Sequence, residues 1–292
     1  MTDIAVVGVG AIGGVVAARL CAAGREVVLC VRRQFDELLI EGPDGPLKVA
    51  PPVVTRPDGV GPIAWVLLAT KAHQTPGAAD WLRALATTRT TIVILQNGVE
   101  HEERVRAYAN GATLLPAVVN CRAGKIGPGS IIQHTPAEIV VPATDAGCNF
   151  VALCEGTALR VYTTTDFATV AWRKLCVNVA GGAITALIDR TLGVVRRPAI
   201  AEVARDLIRE CVAVGRAEGA MLEDELADQI VAAMIHGPEE AGTSMLADRR
   251  LGLPLEVDAR NGAVARIGAR HGIATPLNKT LTALLAAIHT EP

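Results

Sequence analysis

The chain has 292 residues, of which 50% are hydrophobic, 20% are charged and 3% are aromatic, with a formal net charge of −2 at pH 7. This length suits two domains, and the hydrophobic share is ample for a core in each. The slightly acidic balance and the short, isolated arginine pairs exclude the basic footprint of a nucleic-acid-binding protein.

The uncharged stretches and the cysteines indicate a cytoplasmic chain. Residues 4–18 carry no charge, but the basic start of a signal peptide is missing. The other long uncharged stretch, 175–188, is too short to span a bilayer. Seven scattered cysteines form no Cys-x-x-Cys pair, and neither they nor the six histidines have metal-ligand spacing. We therefore expect reduced thiols, no membrane segment and no metal.

The chain opens with an apolar strand that leads into a glycine-rich turn and then an alanine-rich helix. The turn is Gly8-Val9-Gly10-Ala11-Ile12-Gly13. Gly8 makes the tight turn, Gly10 leaves room for a pyrophosphate, and Gly13 lets the helix pack against the strand. N–H groups at the helix N-terminus then face the phosphates. These six residues are predicted to bind a dinucleotide; the alternative is a structural turn without a ligand.

The end of the next predicted strand, residues 27–31, indicates which dinucleotide binds. NAD-binding chains usually place an acidic residue about 20 positions after the turn, where it binds both ribose hydroxyls. This chain has Arg32 and Arg33 there. A guanidinium pairs with a 2′-phosphate that a carboxylate would repel. We therefore expect NADP(H) as the cofactor, with Arg32 as a ligand; two solvated loop arginines are the alternative.

Two further apolar segments, 65–69 and 91–95, are typical of parallel strands that are covered on both faces. Lys71 follows the first, and Asn97 follows the second. Open α/β sheets bind ligands at the carboxyl ends of their strands, so both side chains are candidate site residues. Three more short strands are predicted to extend the same sheet, at 114–119, 130–133 and 138–141.

Helical periodicity replaces strand signals from about residue 167. We therefore predict an α/β domain with a doubly wound, mostly parallel sheet at 1–165 and an all-α domain at 166–292. Helices are expected at 168–188, 198–218, 223–235, 256–270 and 276–288.

The first of these helices carries two polar residues on one face. Lys174 and Asn178 lie four positions apart in a largely apolar segment. Burying an ammonium is costly unless an anionic group meets it, and a carboxylate substrate and a carbonyl oxygen would meet that need. The alternative is a lysine that extends to solvent and an asparagine that caps a loop.

Motifs in both halves resemble those of ketopantoate reductases (2-dehydropantoate 2-reductases), in order over nearly the whole chain. They are Gly8-x-Gly10-x-x-Gly13, Arg32, Thr70-Lys71-Ala72-x-Gln74, Gln96-Asn97-Gly98, Trp172-Arg173-Lys174-x-x-x-Asn178, Thr185-Ala186, Thr243-Ser244-Met245-Leu246-x-Asp248 and Glu256-x-Asp258-x-x-Asn261-Gly262. The elements around Lys174 and Ser244 are much more specific than the glycine turn. The resemblance implies a Rossmann domain, a helical domain like that of 6-phosphogluconate dehydrogenase, and a substrate cleft between them.

The resemblance also implies a role for each matching residue in NADPH-dependent reduction of a 2-keto acid, with ketopantoate as the leading substrate, in pantothenate biosynthesis. The expected catalytic residues are Lys174, as general acid, and Glu256, near the nicotinamide ribose and the substrate. The expected substrate ligands are Asn97, Asn178 and Ser244. The expected cofactor contacts outside the glycine turn are Arg32, Lys71, Asn97 and Glu256. A monomer or a homodimer is expected.

Two positions depart from the family pattern. Gly182 and Leu192 stand where family members often have asparagines. A less polar 2-keto acid is therefore an alternative substrate, although Gly182 can also serve close helix packing. A non-catalytic NADP(H)-sensing protein is the alternative of a different class, and the intact Lys174 disfavours it.

Overall fold

The computed structural model describes residues 3–289, which form two compact units. The first unit extends to Asn97 and includes His101–Phe167. The second comprises Gly98–Glu100 and the chain from Ala168 onward. The predicted domain boundary between residues 165 and 166 lies close to this division, and it stays a prediction. Among residues 3–289, none of the helices has the length and hydropathy that crossing a bilayer requires.

The first unit contains thirteen strands and a few short helices among the described residues. Its strands are β1 (Ile4–Val7), β2 (Val27–Cys30), β3 (Leu38–Gly42), β4 (Gly45–Val49), β5 (Val53–Val54), β6 (Trp65–Leu68), β7 (Thr91–Ile94), β8 (Thr113–Pro116), β9 (Val118–Asn120), β10 (Ala123–Gly127), β11 (Ser130–Gln133), β12 (Glu138–Pro142) and β13 (Arg160–Thr164). Its helices are α1 (Ala11–Ala22), α2 (Ala79–Leu85), α3 (His101–Val105) and α4 (Asp145–Leu153).

A parallel six-stranded sheet lies at the centre of this unit, in the order β5-β2-β1-β6-β7-β8. In β1, Ile4 and Val6 belong to one buried cluster, and Ala5 and Val7 belong to another. The first cluster includes side chains of α1 and the second includes side chains of α2. Both faces are therefore covered, which explains why the strands are apolar throughout.

The strand order reverses beside β1, with β2 on one side and β6 on the other. This is the order of the doubly wound dinucleotide-binding fold, in which ligands bind at the carboxyl ends of the strands beside the reversal. The predicted α/β fold class is thus confirmed. The turn at Gly8, which follows β1, lies at this edge of the sheet.

The prediction that all later strands extend this sheet is wrong. Only β8 joins it; β10 and β11 pair with β3 and β4 in a four-stranded sheet, and β9, β12 and β13 form a three-stranded sheet. The predicted strand at 114–119 divides at Ala117 into β8 and β9, which belong to different sheets. The hairpin of β3 and β4 was missed, although Pro43-Asp44-Gly45 is a strong turn signal and Gly45 has φ +90°.

The second unit is helical. Its elements are α5 (Phe167–Val177), a π turn at Asn178–Gly182, α6 (Ala183–Ile188), α7 (Pro198–Ala217), α8 (Leu226–His236), α9 (Ser244–Arg250), a π turn at Asp258–Gly262, α10 (Ala263–Arg270) and α11 (Pro276–Ala286). Pro198 and Pro276 occupy first-turn positions, as predicted.

Three differences from the predicted helices matter for the site. The helix expected at 168–188 contains the first π turn, the helix expected at 256–270 begins with the second, and α9 was missed. Each π turn ends in a glycine and contains buried residues, and the two turns contact each other. A π turn inside a helix is often found at a functional site.

Candidate active site

The glycine turn of the first unit has the geometry of a pyrophosphate cradle. Gly8 has φ +92°, and a Cβ at Gly13 would lie 2.2 Å from the Gly8 carbonyl oxygen. Apart from its chain neighbours, no residue in the described range 3–289 would have an atom within 4 Å of a Cβ at Gly10. The first turn of α1 has no acidic residue and no side-chain cap. Open space in front of Gly10 and an uncapped helix N-terminus fit a phosphate group. Val9, Ala11 and Ile12 complete this turn.

Three other predicted cofactor residues follow the carboxyl ends of neighbouring parallel strands. Arg32 follows β2 and is exposed, Lys71 follows β6, and Asn97 follows β7; the last two are half-buried. The structure thus brings these three loops and the glycine turn to one edge of the sheet.

A buried glutamine, Gln96, fastens the loops after β6 and β7 to each other. Its Nε2 lies 3.0 Å from Thr70 Oγ1 and 2.9 Å from Thr75 Oγ1. Its backbone carbonyl oxygen lies 3.0 Å from His101 Nε2. The network holds the segments that carry Lys71 and Asn97. The sequence marks Gln96 as a polar strand end, but Thr75 and His101 carry no signal by themselves.

Sequence reasoning missed a further cation near Arg32. Burial lowers the pKa of Lys125, and the positive charges of Arg33 and Arg32 lower it further. Lys125 lies on β10, far along the chain from the two arginines, so only the tertiary fold reveals this basic cluster. Three mutually repelling cations favour an anionic ligand such as a ribose phosphate.

The second unit carries Lys174 and Asn178 on one face of a helix, as predicted. Lys174 lies in the last turn of α5, and Asn178 begins the π turn. Both side chains are half-buried, whereas Leu175 and Val179 are buried in the core. The helix face that carries Lys174 and Asn178 therefore offers polar groups that could bind a ligand.

Ser244 and Glu256 are joined through an arginine that sequence reasoning missed. Arg260 Nη2 donates to Ser244 Oγ at 2.9 Å and to Glu256 Oε2 at 3.0 Å. The side chains of Arg260 and Glu256 are each 1% exposed, whereas Ser244 is exposed. Ser244 is the first residue of α9, and Glu256 lies just before the second π turn. Residues expected from separate motifs thus form one hydrogen-bonded group.

The predicted site residues therefore divide between the units. The glycine turn, Arg32, Lys71 and Asn97 belong to the first unit, and Lys174, Asn178, Ser244 and Glu256 belong to the second. Glu256, which was predicted to contact both cofactor and substrate, belongs with the second group. The individual roles of all these residues stay predictions.

Comparison with known proteins gives the same family in both halves. Residues 4–146 match the family model described as ketopantoate reductase PanE/ApbA, and residues 166–289 match the model of its C-terminal region. A 2-dehydropantoate 2-reductase of Caulobacter vibrioides is 43% identical over 98% of this chain and 99% of the relative. The chain belongs to the ketopantoate reductase family. The predicted family is thus confirmed.

Other members of the family agree over the full length. A 2-dehydropantoate 2-reductase of Mycobacterium tuberculosis is 42% identical over 100% of this chain and 99% of the relative. The crystal structure of a 2-dehydropantoate 2-reductase from Geobacter metallireducens has a TM-score of 0.92 at 25% identity and covers 98% of this chain and 99% of its own. The similarity therefore extends to the fold of the whole chain.

Proposed function

We propose that this protein reduces 2-dehydropantoate to pantoate with NADPH, the reductive step of pantothenate biosynthesis. The observation that carries the proposal is the 43% identity over 98% of the chain with a curated 2-dehydropantoate 2-reductase. The protein is an oxidoreductase, and its cofactor is NADP(H). The open glycine turn and the basic cluster beside β2 support the choice of a phosphorylated dinucleotide.

The first unit supplies the residues that hold the cofactor. The turn at Gly8–Gly13 and the start of α1 bind the pyrophosphate, Arg32 binds the 2′-phosphate, and Lys71 and Asn97 bind from the neighbouring strand ends. NADPH, when bound, supplies the hydride that becomes the C2 hydrogen of the product. Every other step belongs to side chains of this protein.

The second unit supplies the residues that act on the keto acid. Lys174 donates a hydrogen bond to the C2 carbonyl oxygen, stabilises the negative charge that develops there and delivers the proton. The Asn178 amide and the Ser244 hydroxyl bind the polar groups of the substrate. Glu256, fixed by Arg260, accepts hydrogen bonds from hydroxyl groups beside the reacting carbon.

The test of this proposal is the turnover of a Lys174→Ala variant with 2-dehydropantoate, followed by the absorbance of NADPH. Loss of a general acid lowers kcat by about 10²–10⁴-fold. NADPH affinity should stay unchanged because no cofactor role is proposed for Lys174. Lys279→Ala, which removes an exposed lysine of the same unit, is the matched control. A Lys174→Ala variant with full turnover would remove this residue from the mechanism.

A less polar 2-keto acid is a second candidate substrate. Gly182 offers no polar side chain, and Leu192 packs beside Gly181 and the core of the second unit. A panel of 2-keto acids with purified protein separates the candidates by kcat/KM. Tight NADPH binding without consumption by any acid would instead indicate a nucleotide-sensing protein.

We also propose a cytoplasmic homodimer. All seven cysteines are free thiols, which supports a reducing compartment. A solved relative from Staphylococcus aureus, 25% identical over 98% of this chain, is described as a dimeric ketopantoate reductase. Light scattering during size-exclusion chromatography distinguishes the homodimer from the monomer.

A further inference from the structure

The buried guanidinium of Arg260 contacts Glu256 in the mechanism above, but that contact alone does not explain its second hydrogen bond, to Ser244. One nitrogen, Nη2, makes both of its hydrogen bonds, to Ser244 Oγ and Glu256 Oε2. The Glu256 carboxylate balances its charge at a site where both side chains are 1% exposed. Breaking such a pair by removing one partner leaves an uncompensated charge in the interior.

The rest of the guanidinium lacks partners. Its Nε is fully buried and has no hydrogen-bond partner among residues 3–289, and its Nη1 donates no hydrogen bond to them. An apolar side chain at position 260 would fill the same space without the free-energy cost of burying unpaired donors. Arg260 is therefore poorly explained as a packing residue, and its two hydrogen bonds must carry its role.

Gly182 makes room for this side chain. A Cβ at Gly182 would lie 3.1 Å from Arg260 Nη1 and 3.8 Å from Met245 Cβ. Any side chain at this position would press on the guanidinium. Gly182 ends one π turn and Arg260 lies in the other, so the glycine and the arginine are complementary across the contact between the two turns.

The hydrogen bond from Arg260 also fixes the direction of the Ser244 hydroxyl. A serine hydroxyl has one hydrogen to donate and two lone pairs. Because Arg260 can only donate, Ser244 Oγ accepts from it, and the Ser244 hydrogen stays available for an acceptor outside the pair. An exposed serine held in this way presents a donor to a carboxylate, carbonyl or hydroxyl oxygen of a ligand.

We propose that Arg260 is a positioning residue for recognition of the keto acid, that it orients the Ser244 hydroxyl and the Glu256 carboxylate together, and that Gly182 is required for its placement. This inference rests on the proposed function, since it assigns Ser244 and Glu256 to the substrate. The absence of a side chain at Gly182 thus leaves the space beside the guanidinium. Selection of the substrate then depends on Ser244 and Glu256 in the orientation that Arg260 gives them.

The experiment compares Arg260→Met, Arg260→Lys and the wild type by kcat, by KM for 2-dehydropantoate and by the Kd for NADPH. Loss of the charge-assisted hydrogen bonds should raise KM about 10- to 100-fold. The Kd for NADPH should rise by a much smaller factor, because Glu256 is the one partner of Arg260 that is also predicted to contact the cofactor. Arg260→Lys should recover part of the loss because an ammonium can still donate to Ser244 or Glu256. The matched control is Arg205→Met, which removes an arginine–carboxylate pair of the same unit whose side chains are 32% and 61% exposed.

A double-mutant cycle tests the pairing with Gly182. Gly182→Asn alone should raise KM because its side chain displaces Arg260. Gly182→Asn combined with Arg260→Met should be less impaired than the sum of the two single changes predicts. Additive effects would overturn the pairing, and an unchanged KM in folded Arg260→Met would overturn the positioning role.

Folding and function are separated by two further measurements. Thermal unfolding of each variant without ligand shows whether the fold survives, and the increase in Tm on adding pantoate with NADP⁺ reports substrate-site binding without turnover. If Arg260→Met unfolds, Arg260→Lys replaces it in the test. The increase in Tm with pantoate should then be smaller in folded Arg260→Lys than in the wild type, and an increase equal to that of the wild type would overturn the proposal. A wild-type protein that reduces no 2-keto acid and shows no pantoate shift would instead contradict the proposed function itself.

Discussion

At the scale of single residues, two glycines of the same turn are required for different reasons. A Cβ at Gly13 would collide with the Gly8 carbonyl oxygen at 2.2 Å and with Ala69 Cβ at 2.9 Å. A Cβ at Gly10 would come within 4 Å of no other residue in the part of the chain that the structure describes, apart from its chain neighbours. Gly10 also has φ −82°, which any residue adopts. Gly13 is therefore needed by the fold, and Gly10 is needed by the ligand.

This difference predicts opposite outcomes for two alanine substitutions. Gly13→Ala should lower the free energy of unfolding by about 1–3 kcal/mol, as overpacking does. Gly10→Ala should leave that free energy unchanged or slightly higher but weaken NADPH binding about tenfold or more, since the methyl group occupies pyrophosphate space. Urea unfolding without cofactor and fluorescence titration with NADPH measure the two quantities. A Gly10→Ala variant with wild-type affinity would contradict the placement of the pyrophosphate.

Arg32 is predicted to set the preference for NADPH over NADH. Removing a hydrogen bond to a charged phosphate costs about 1.5–3 kcal/mol, so Arg32→Ala should lower the preference about ten- to a hundredfold. The ratio of kcat/KM for the two cofactors measures it. Arg89→Ala is the control, because this exposed arginine precedes β7 and so lies at the opposite edge of the sheet. An unchanged ratio in Arg32→Ala would show that Arg32 does not set the cofactor preference.

At the scale of elements, the first π turn is held by a threonine from the helix that follows it. Thr185 is 0% exposed, and its Oγ1 lies 2.7 Å from the Gly181 carbonyl oxygen. The same atom lies 2.7 Å from Thr243 Oγ1, which caps α9 by accepting from Leu246 N. One hydroxyl therefore connects the turn that bears Asn178 to the helix that begins with Ser244.

Thr185→Val is predicted to destabilise the protein by about 1–3 kcal/mol, because it keeps the shape but leaves buried polar groups without a partner. Thr280→Val is the matched control: its Oγ1 lies 2.8 Å from the Pro276 carbonyl oxygen, but it is exposed on α11. The control should change stability by less than about 0.5 kcal/mol. Urea unfolding of both variants measures the two changes in the free energy of unfolding. Equal changes would contradict the proposed importance of the buried Thr185 hydroxyl.

At the scale of the whole molecule, buried thiols make stability depend on pH in the alkaline range. Burial raises the pKa values of Cys30 and Cys154 from 9.0 to about 12, and it also raises that of Cys211. Between pH 9 and about 12 the thiols of the unfolded chain lose protons that those of the folded chain keep. The contribution of these thiols to stability is therefore fully present below pH 9 and is lost as the pH rises.

The free energy of unfolding should therefore decrease by about 1.4 kcal/mol per pH unit for each such thiol above its unfolded pKa. Cys154→Ala should make this slope shallower than in the wild type. Cys148→Ala should not, because Cys148 is already exposed. Urea unfolding at a series of alkaline pH values measures the slopes, and identical slopes for the two variants would contradict the assignment.

The sequence by itself determined the parts of this protein that depend on neighbours within a few residues. The glycine turn, the apolar strands β1, β2, β6 and β7, and the helical second half follow from local periodicity and steric rules. The spacing of four residues also predicted that Lys174 and Asn178 lie on one helix face.

Only the tertiary structure decided which distant segments meet. It assigned the later strands to three sheets, placed Lys125 near Arg32 and Arg33, and joined Ser244 to Glu256 through Arg260 opposite Gly182. The physical reason is that strand pairing and buried hydrogen bonds depend on shape and charge complementarity between segments that are remote along the chain. Nothing in the local pattern around Arg260 distinguishes a buried donor from a solvated one.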